Sequence, residues 1–295
     1  MDSIISIENL SKIYNRTKVV NNVSFSIKRG SVCGLLGPNG AGKTTIMKMI
    51  MNQVKSDSGN ICYDKDIKIN YLQDVPNFYE FYSVYEYLEF VLTINKYEKN
   101  SSSRIMEVLN LLNLSNYADK KIKHLSRGLR QKVGIASVII DEPDLLILDE
   151  PVSALDPIGR KEMIDIIKSL KGSVTIIFSS HVLTDIEKVC DHIVLISRGL
   201  IILDKPIDEA ISNGKTLLIE FSSREDVLNI KDKIDVPCRF SEEIKDCLEI
   251  DSEDILNLQN NIYKLIIKEK ILVKGVSIKK ESLEDIFLKE VHKHV

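Results

Sequence analysis

The stretch "SVCGLLGPNGAGKTTIMKMI", residues 31–50, constrains this chain more than any other. A short apolar run ends in glycine, crosses a glycine-rich loop and enters a segment with helical spacing. That order predicts a strand, a tight turn and a helix. Residues 37–44, GPNGAGKT, fit the spacing G-x-x-x-x-G-K-[ST] in that context. Gly37, Gly40 and Gly42 let the backbone wrap close to an anion. The N–H groups of the turn and of the helix start then point at it. Pro38, Asn39, Ala41 and Thr45 complete the loop and the first helical turn. Lys43 is placed to reach terminal phosphates, and the Thr44 hydroxyl is a hard oxygen ligand suited to Mg²⁺.

A second stretch complements the first. "DLLILDEP", residues 144–151, reads as a strand buried on both faces that ends in two carboxylates. Burying Asp149 is costly without a charged partner, and Mg²⁺ supplies one. Glu150 follows at once, where an acidic side chain can orient or deprotonate water. Without the glycine loop, the pair would read as solvated strand-end carboxylates.

The rest of the chain alternates strand and helix patterns, the signature of an α/β fold with a mainly parallel sheet. Residues 3–28 alternate with a period near two and predict antiparallel strands at the N-terminus. A helical insertion spans about 76–140 and contains a capping box, Ser83 with Glu86. Near Asn213-Gly214 the character changes. The order β-α-β-β-α-β that follows suggests a small ferredoxin-like α+β module. The expected domains are 1–212 and 213–295.

Further motifs appear in order: "LSRG" at 125–128, "SALD" at 153–156 and "SSH" at 179–181. With GPNGAGKTT and LLILDEP, they resemble the nucleotide-binding subunit of ATP-binding cassette (ABC) transporters, a P-loop NTPase family. The resemblance covers residues 1 to about 212. It implies ATP and Mg²⁺ as cofactors and a head-to-tail dimer with a second ATPase subunit. It also implies a separate membrane permease that holds the protein at the cytoplasmic face of the membrane.

The family assigns roles by position. Lys43, Glu150 and His181 are the implied catalytic residues, His181 being the switch histidine at the γ-phosphate. Tyr14 falls where an aromatic stacks on adenine, although a strand tyrosine needs no ligand. The family's metal-sensing glutamine falls in "YLQDVP". Asp74 is favoured there over Gln73, and either suits Mg²⁺ or its bound water. "LSRG" corresponds to a signature usually written L-S-G-G-Q. Ser126 is expected as a helix N-cap and Gly128 as a close approach to the other subunit's nucleotide. Arg127 then becomes the first helical residue, where glycine is not required.

Residues 78–90, "FYEFYSVYEYLEF", concentrate aromatics ahead of and along a helix. Phe78, Tyr79, Phe81 and Tyr82 read either as a dock for the permease or as a local core plug. The branch most resembled is that of bacterial multidrug and peptide-antibiotic exporters, of bacitracin or lantibiotic type. Rival readings are a non-transport ABC ATPase and a nucleotide-dependent regulator. The first usually carries two cassettes or a long coiled-coil insertion. The second fits poorly with intact Lys43, Asp149, Glu150 and His181.

Composition agrees with this. Net charge is −3 with a pI near 6.0, so no nucleic acid is expected as partner. The five cysteines form no C-x-x-C pair and predict neither a disulfide framework nor a zinc site. No leader pattern opens the chain, and no uncharged apolar run approaches the ~18 residues of a span.

Overall fold

The computed structural model describes residues 3–153, 155–180, 182–211, 216–231, 233–234, 236–241, 244–279 and 282–287. His181 and Ala154 lie outside the described residues. The chain divides into two compact units, the first ending at Ile207 and the second starting at Asp208. This division lies ahead of the expected 212/213 boundary. The last strand of the first unit's main sheet ends at Pro206, which pairs with His192.

In the first unit, β1 (Ser3–Tyr14), β2 (Thr17–Lys28) and β4 (Ser58–Tyr63) form an antiparallel sheet in the order β2-β1-β4. Val23, Phe25 and Ile27 alternate inward along β2, as the period-two pattern requires. The main sheet contains β3 (Val32–Leu36), β5 (Ile69–Leu72), β6 (Leu145–Leu148), β7 (Thr175–Ser179), β8 (His192–Ser197) and β9 (Leu200–Pro206). Its order is β5-β6-β7-β3-β8-β9. All neighbours pair in parallel except β8 and β9. Every residue of β3, β6 and β7 is buried, which is why these strands read as unbroken apolar runs.

Helix α1 (Lys43–Ile50) follows β3 directly. The insertion holds α2 (Val84–Ile94), α3 (Ser101–Leu111) and α4 (Arg127–Ile139). The capping box is present: Ser83 Oγ accepts from Glu86 N, and Glu86 accepts from Ser83 N at 2.7 Å. Helices α5 (Pro157–Leu170) and α6 (Leu183–Val189) complete the α/β alternation.

A buried carboxylate joins the insertion to the sheet edge. Asp141 accepts from Asn70 Nδ2 and from Asn95 Nδ2, each at 2.6 Å. Lys68 Nζ lies 2.9 Å from the same carboxylate. Asn70 also donates to Val138 O at 2.7 Å, while Arg104 donates to the carbonyls of Ile139 and Ile140. These donors satisfy the carbonyls left open where α4 ends.

The second unit begins with α7 (Ile207–Ile211), whose first residue still belongs to the first unit. Then come β10 (Thr216–Phe221), α8 (Arg224–Lys231), β11 (Cys238–Phe240), β12 (Cys247–Asp251), α9 (Ile255–Glu269) and β13 (Val273–Lys279). The antiparallel sheet runs β11-β12-β10-β13, the strand arrangement expected of a ferredoxin-like module. Leu217, Ile219 and Phe221 alternate toward one face and share a core with Val227 and Ile230 of α8 and Leu258, Ile262 and Ile266 of α9.

Candidate functional site

The candidate site forms where the loops after β3 and β6 leave the carboxyl edge of the main sheet, the usual ligand position in an α/β fold. Residues 39–45, Val19, Asp149 and Glu150 line a cavity of about 180 Å³. The loop geometry depends on glycine. Gly42 has φ +109, and a Cβ there would lie 2.6 Å from Val19 O. A Cβ on Gly37 would lie 2.2 Å from Ile196 O. Neither position tolerates a side chain.

Lys43 is 7% exposed, and its Nζ donates to Gly37 O at 2.7 Å and to Pro38 O at 3.3 Å. Burial lowers its pKa, with Glu150 and Asp149 pulling the other way. The ammonium is thus held inside the loop, where a phosphate can replace the two carbonyls as its partner.

Asp149 is buried, and its carboxylate is surrounded by hydroxyls. Thr44 Oγ1 donates to Oδ2 at 3.1 Å, Tyr71 OH to Oδ2 at 3.2 Å and Ser179 Oγ to Oδ1 at 2.7 Å. Ser179 Oγ in turn accepts from Glu150 N at 2.9 Å. Glu150 sits at φ +49, a left-handed conformation uncommon outside glycine and asparagine. Burial first, and Asp149 next, push the Tyr71 phenol well above its ordinary value. It therefore remains a hydrogen-bond donor across the working pH range.

Tyr71 and Ser179 were not assigned roles from the sequence. A tyrosine in the apolar strand "INYL" was the available signal, because a buried phenol normally finds a partner. Its partner is visible only in the register that sets Tyr71 beside Ile147 and brings Asp149 within reach.

A second cleft, about 550 Å³, adjoins the first and is lined by Thr44, Tyr71, Gln73, Asp74 and Asp149 among others. Both Gln73 and Asp74 therefore line the same cleft as Thr44 and Asp149. Asp74 Oδ1 accepts from Ser153 Oγ at 2.6 Å.

Of the expected nucleotide-binding positions, Gly37 and Pro38 sit in the loop just ahead of the cavity lining, while Tyr14, Ser126 and Gly128 belong to other elements and do not line it. Tyr14 ends β1, 42% exposed, with Lys12 Nζ 5.4 Å from its ring centre. Ser126 is the exposed N-cap of α4, accepting from Leu129 N at 3.4 Å. Arg127 and Gly128 are the first helical residues. A Cβ on Gly128 would meet only Leu155 Cδ2, at an ordinary 3.8 Å. Among the described residues, nothing requires glycine there. Asp156 of the "SALD" segment caps α5, accepting from Gly159 N at 2.9 Å.

The aromatic stretch forms a cluster at the surface. Tyr79 contacts Phe81, Tyr82 and Phe90 with ring centroids 5.4–6.2 Å apart. Tyr79 and Phe81 remain 54% and 61% exposed, more open than a core plug requires.

Strand, glycine loop and helix, with a buried carboxylate hydrogen-bonded to the helix's threonine, define a P-loop nucleotide-binding ATPase. Residues 20–153 match the family model described as ABC transporter. The chain is 33% identical to the bacitracin transport ATP-binding protein BcrA of Bacillus licheniformis, over 98% of this chain and 97% of that protein. It is 40% identical to the lantibiotic transport ATP-binding protein SrtF of Streptococcus pyogenes, over 70% of this chain and 92% of that one. Among solved structures, cbiO1 of Clostridium perfringens, part of the ABC transporter complex cbiONQ, aligns with a TM-score of 0.65 and 26% identity. That alignment covers 79% of this chain and 96% of cbiO1. The chain belongs to the ATP-binding subunits of ABC transporters, a family that binds and hydrolyses ATP. Such subunits work with a membrane permease. Among the described residues, no helix is long and apolar enough to cross a membrane.

Proposed function

We propose that two copies of this chain close head to tail around ATP and drive export of a peptide antibiotic or drug through a separate permease. The observation that carries the hydrolytic part is the convergence of Thr44, Asp149 and Glu150 beside the glycine loop. The export part is supported by similarity to BcrA and SrtF, whose names state bacitracin and lantibiotic transport.

The loop N–H groups and Lys43 hold the phosphates, and Tyr14 offers a face to the adenine. A hydroxyl and a buried carboxylate 3.1 Å apart suit Mg²⁺, which prefers hard oxygens. Thr44 and Asp149 would hold it, with Asp74 or Gln73 at its water shell. Bound there, it neutralises charge on the phosphate oxygens. Glu150 orients the attacking water and accepts its proton. His181, outside the described residues, takes the family's role at the γ-phosphate. Ser126 and Gly128 present the N-terminus of α4 to the nucleotide of the other copy. This explains why neither lines the chain's own phosphate cavity. The exposed cluster around Tyr79 and Phe81 serves as the permease dock, which places the protein at the cytoplasmic face of the membrane.

The test is expression of the chain with its neighbouring permease in a sensitive host. Resistance to bacitracin or a lantibiotic should appear, and Glu150→Gln should abolish it while retaining ATP binding. Resistance that persists in Glu150→Gln would remove the catalytic assignment. No change in tolerance to any peptide antibiotic or drug would remove the export assignment.

A further inference from the structure

Arg160 of α5 and Asp185 of α6 form an ion pair between the two helices, with Nε 3.3 Å from Oδ2. Asp185 is 2% exposed. Among the described residues, Arg160 Nε and Asp185 Oδ2 are the fully buried side-chain atoms that make no hydrogen bond. The charges are close, but the donor is not aligned on the acceptor. A carboxylate buried on such terms is costly. The same two helices bury Met163, Ile164, Ile167, Ile186 and Val189, so apolar packing is available to hold them.

The place of each residue in the chain shows what the pair connects. Arg160 N closes the first turn of α5 onto Asp156 O at 2.8 Å, and the Asp156 carboxylate caps that helix. Residues 150–156 lead there from Glu150. Asp185 lies in the first turn of α6, shortly after Ser179 ends β7. Ser180 Oγ accepts from Val182 N at 3.0 Å, which fastens the start of α6 to the strand end. Ser179 Oγ accepts from Glu150 N and donates to Asp149.

The loops after β6 and β7 are therefore tied twice. Ser179 ties them at the sheet edge, and Arg160 with Asp185 ties them again at the first turns of the helices that follow. Between the ties lie Glu150 on one loop and, in sequence, His181 on the other. Neither Arg160 nor Asp185 lines the phosphate cavity.

We propose that Arg160 and Asp185 are a positioning pair for ATP hydrolysis. Their contact sets the spacing of the two loops, so that the attacking water and its base meet. The inference rests on Glu150 as the base, as read above. A misplacement of about 1 Å at a reacting group costs on the order of a hundredfold in rate. A pair that touches neither phosphate nor nucleoside governs turnover and leaves nucleotide binding alone.

Steady-state ATPase of the full chain, measured beside fluorescent-ATP affinity and melting temperature, tests this. Asp185→Asn removes the charge and keeps the shape. Its kcat should fall on the order of 10- to 100-fold, with nucleotide affinity unchanged. Arg160→Lys keeps a cation and should retain most of the rate. Arg160→Met combined with Asp185→Leu replaces the pair by apolar side chains, an exchange that often preserves stability. That double variant should melt like the wild type and still turn over slowly. A wild-type kcat in the double variant overturns the proposal, because the pair would then serve folding alone. A fall in nucleotide affinity that accounts for the lost rate overturns it as well. If the double variant is unstable, Asp185→Asn assayed well below its own melting temperature decides, and a wild-type rate there overturns the proposal. Glu150→Gln separates the two readings. Normal hydrolysis in Glu150→Gln beside a slow double variant would remove the base and keep the pair, acting through the loop after β7.

Discussion

The phenol of Tyr71 donates to Asp149 Oδ2 at 3.2 Å, sharing that oxygen with the Thr44 hydroxyl at 3.1 Å. An edge strand of the sheet thereby reaches the carboxylate expected to face the metal. Hydrogen-bond partners behind a metal ligand fix its orientation, and their loss typically lowers affinity 10–100-fold.

Tyr71→Phe removes the hydroxyl and leaves the ring. The apparent affinity for Mn²⁺ in the presence of ATP should fall about tenfold. Electron paramagnetic resonance titration measures it without relying on turnover. Nucleotide affinity in excess chelator should not change. Equal metal affinity in both proteins would show that Thr44 and Ser179 suffice to hold Asp149.

Asp141→Ala should destabilise the first unit by about 3 kcal/mol, the cost of leaving buried donors without an acceptor. The donors are the amides of Asn70 and Asn95, with Lys68 beside them. Asp141→Asn, which keeps one acceptor oxygen, should lose less. Denaturant unfolding is the measurement. A loss under ~0.5 kcal/mol, typical of a surface substitution, would mean that water replaces the carboxylate.

Arg127→Gly should leave ATP hydrolysis unchanged, because residue 127 is an exposed first-turn position. Ser126→Arg and Gly128→Asp should abolish its cooperativity. The free chain has room for a Cβ at 128, so Gly128→Asp should still fold with an unaltered melting temperature. Steady-state rates against protein concentration distinguish the outcomes. Full cooperative activity in Ser126→Arg or Gly128→Asp would remove the trans assignment of α4.

Lys43 gives a pH signature. Burial holds its folded pKa below the ordinary 10.5, partly offset by Glu150 and Asp149. Between the two values, the unfolded chain carries a proton that the folded chain lacks. In that alkaline window this group makes stability rise with pH. A bound triphosphate favours the charged lysine, so ATP binding there should take up a proton. Calorimetry in buffers of different ionisation enthalpy detects it. No uptake would place the phosphates away from Lys43.

What could be read from the sequence was mainly local. The glycine loop, the Ser83–Glu86 capping box and the Ser126 N-cap depend on neighbours a few residues apart, and each is present in the structure. What escaped depends on register between distant strands. Asp149 meets Tyr71 and Ser179 because β6 lies between β5 and β7, an order that local patterns do not encode. The Asp141 network is of the same kind, linking β5, the end of α2 and the end of α4. Asp156-Pro157 was readable as a helix start but was taken up in the "SALD" motif. The aromatic stretch left two readings open, because composition alone cannot tell a stacked surface cluster from a buried one.

Glu150 carries a further consequence through its φ of +49. A left-handed backbone costs a non-glycine residue about 1 kcal/mol. Glycine or asparagine would fit that position more comfortably, and neither could take a proton from water. If Glu150 is the base proposed above, ease of folding and chemical competence favour different amino acids at position 150. On that proposal, a laboratory selection for heat resistance alone would tend to replace the glutamate and recover sturdier proteins that no longer turn over.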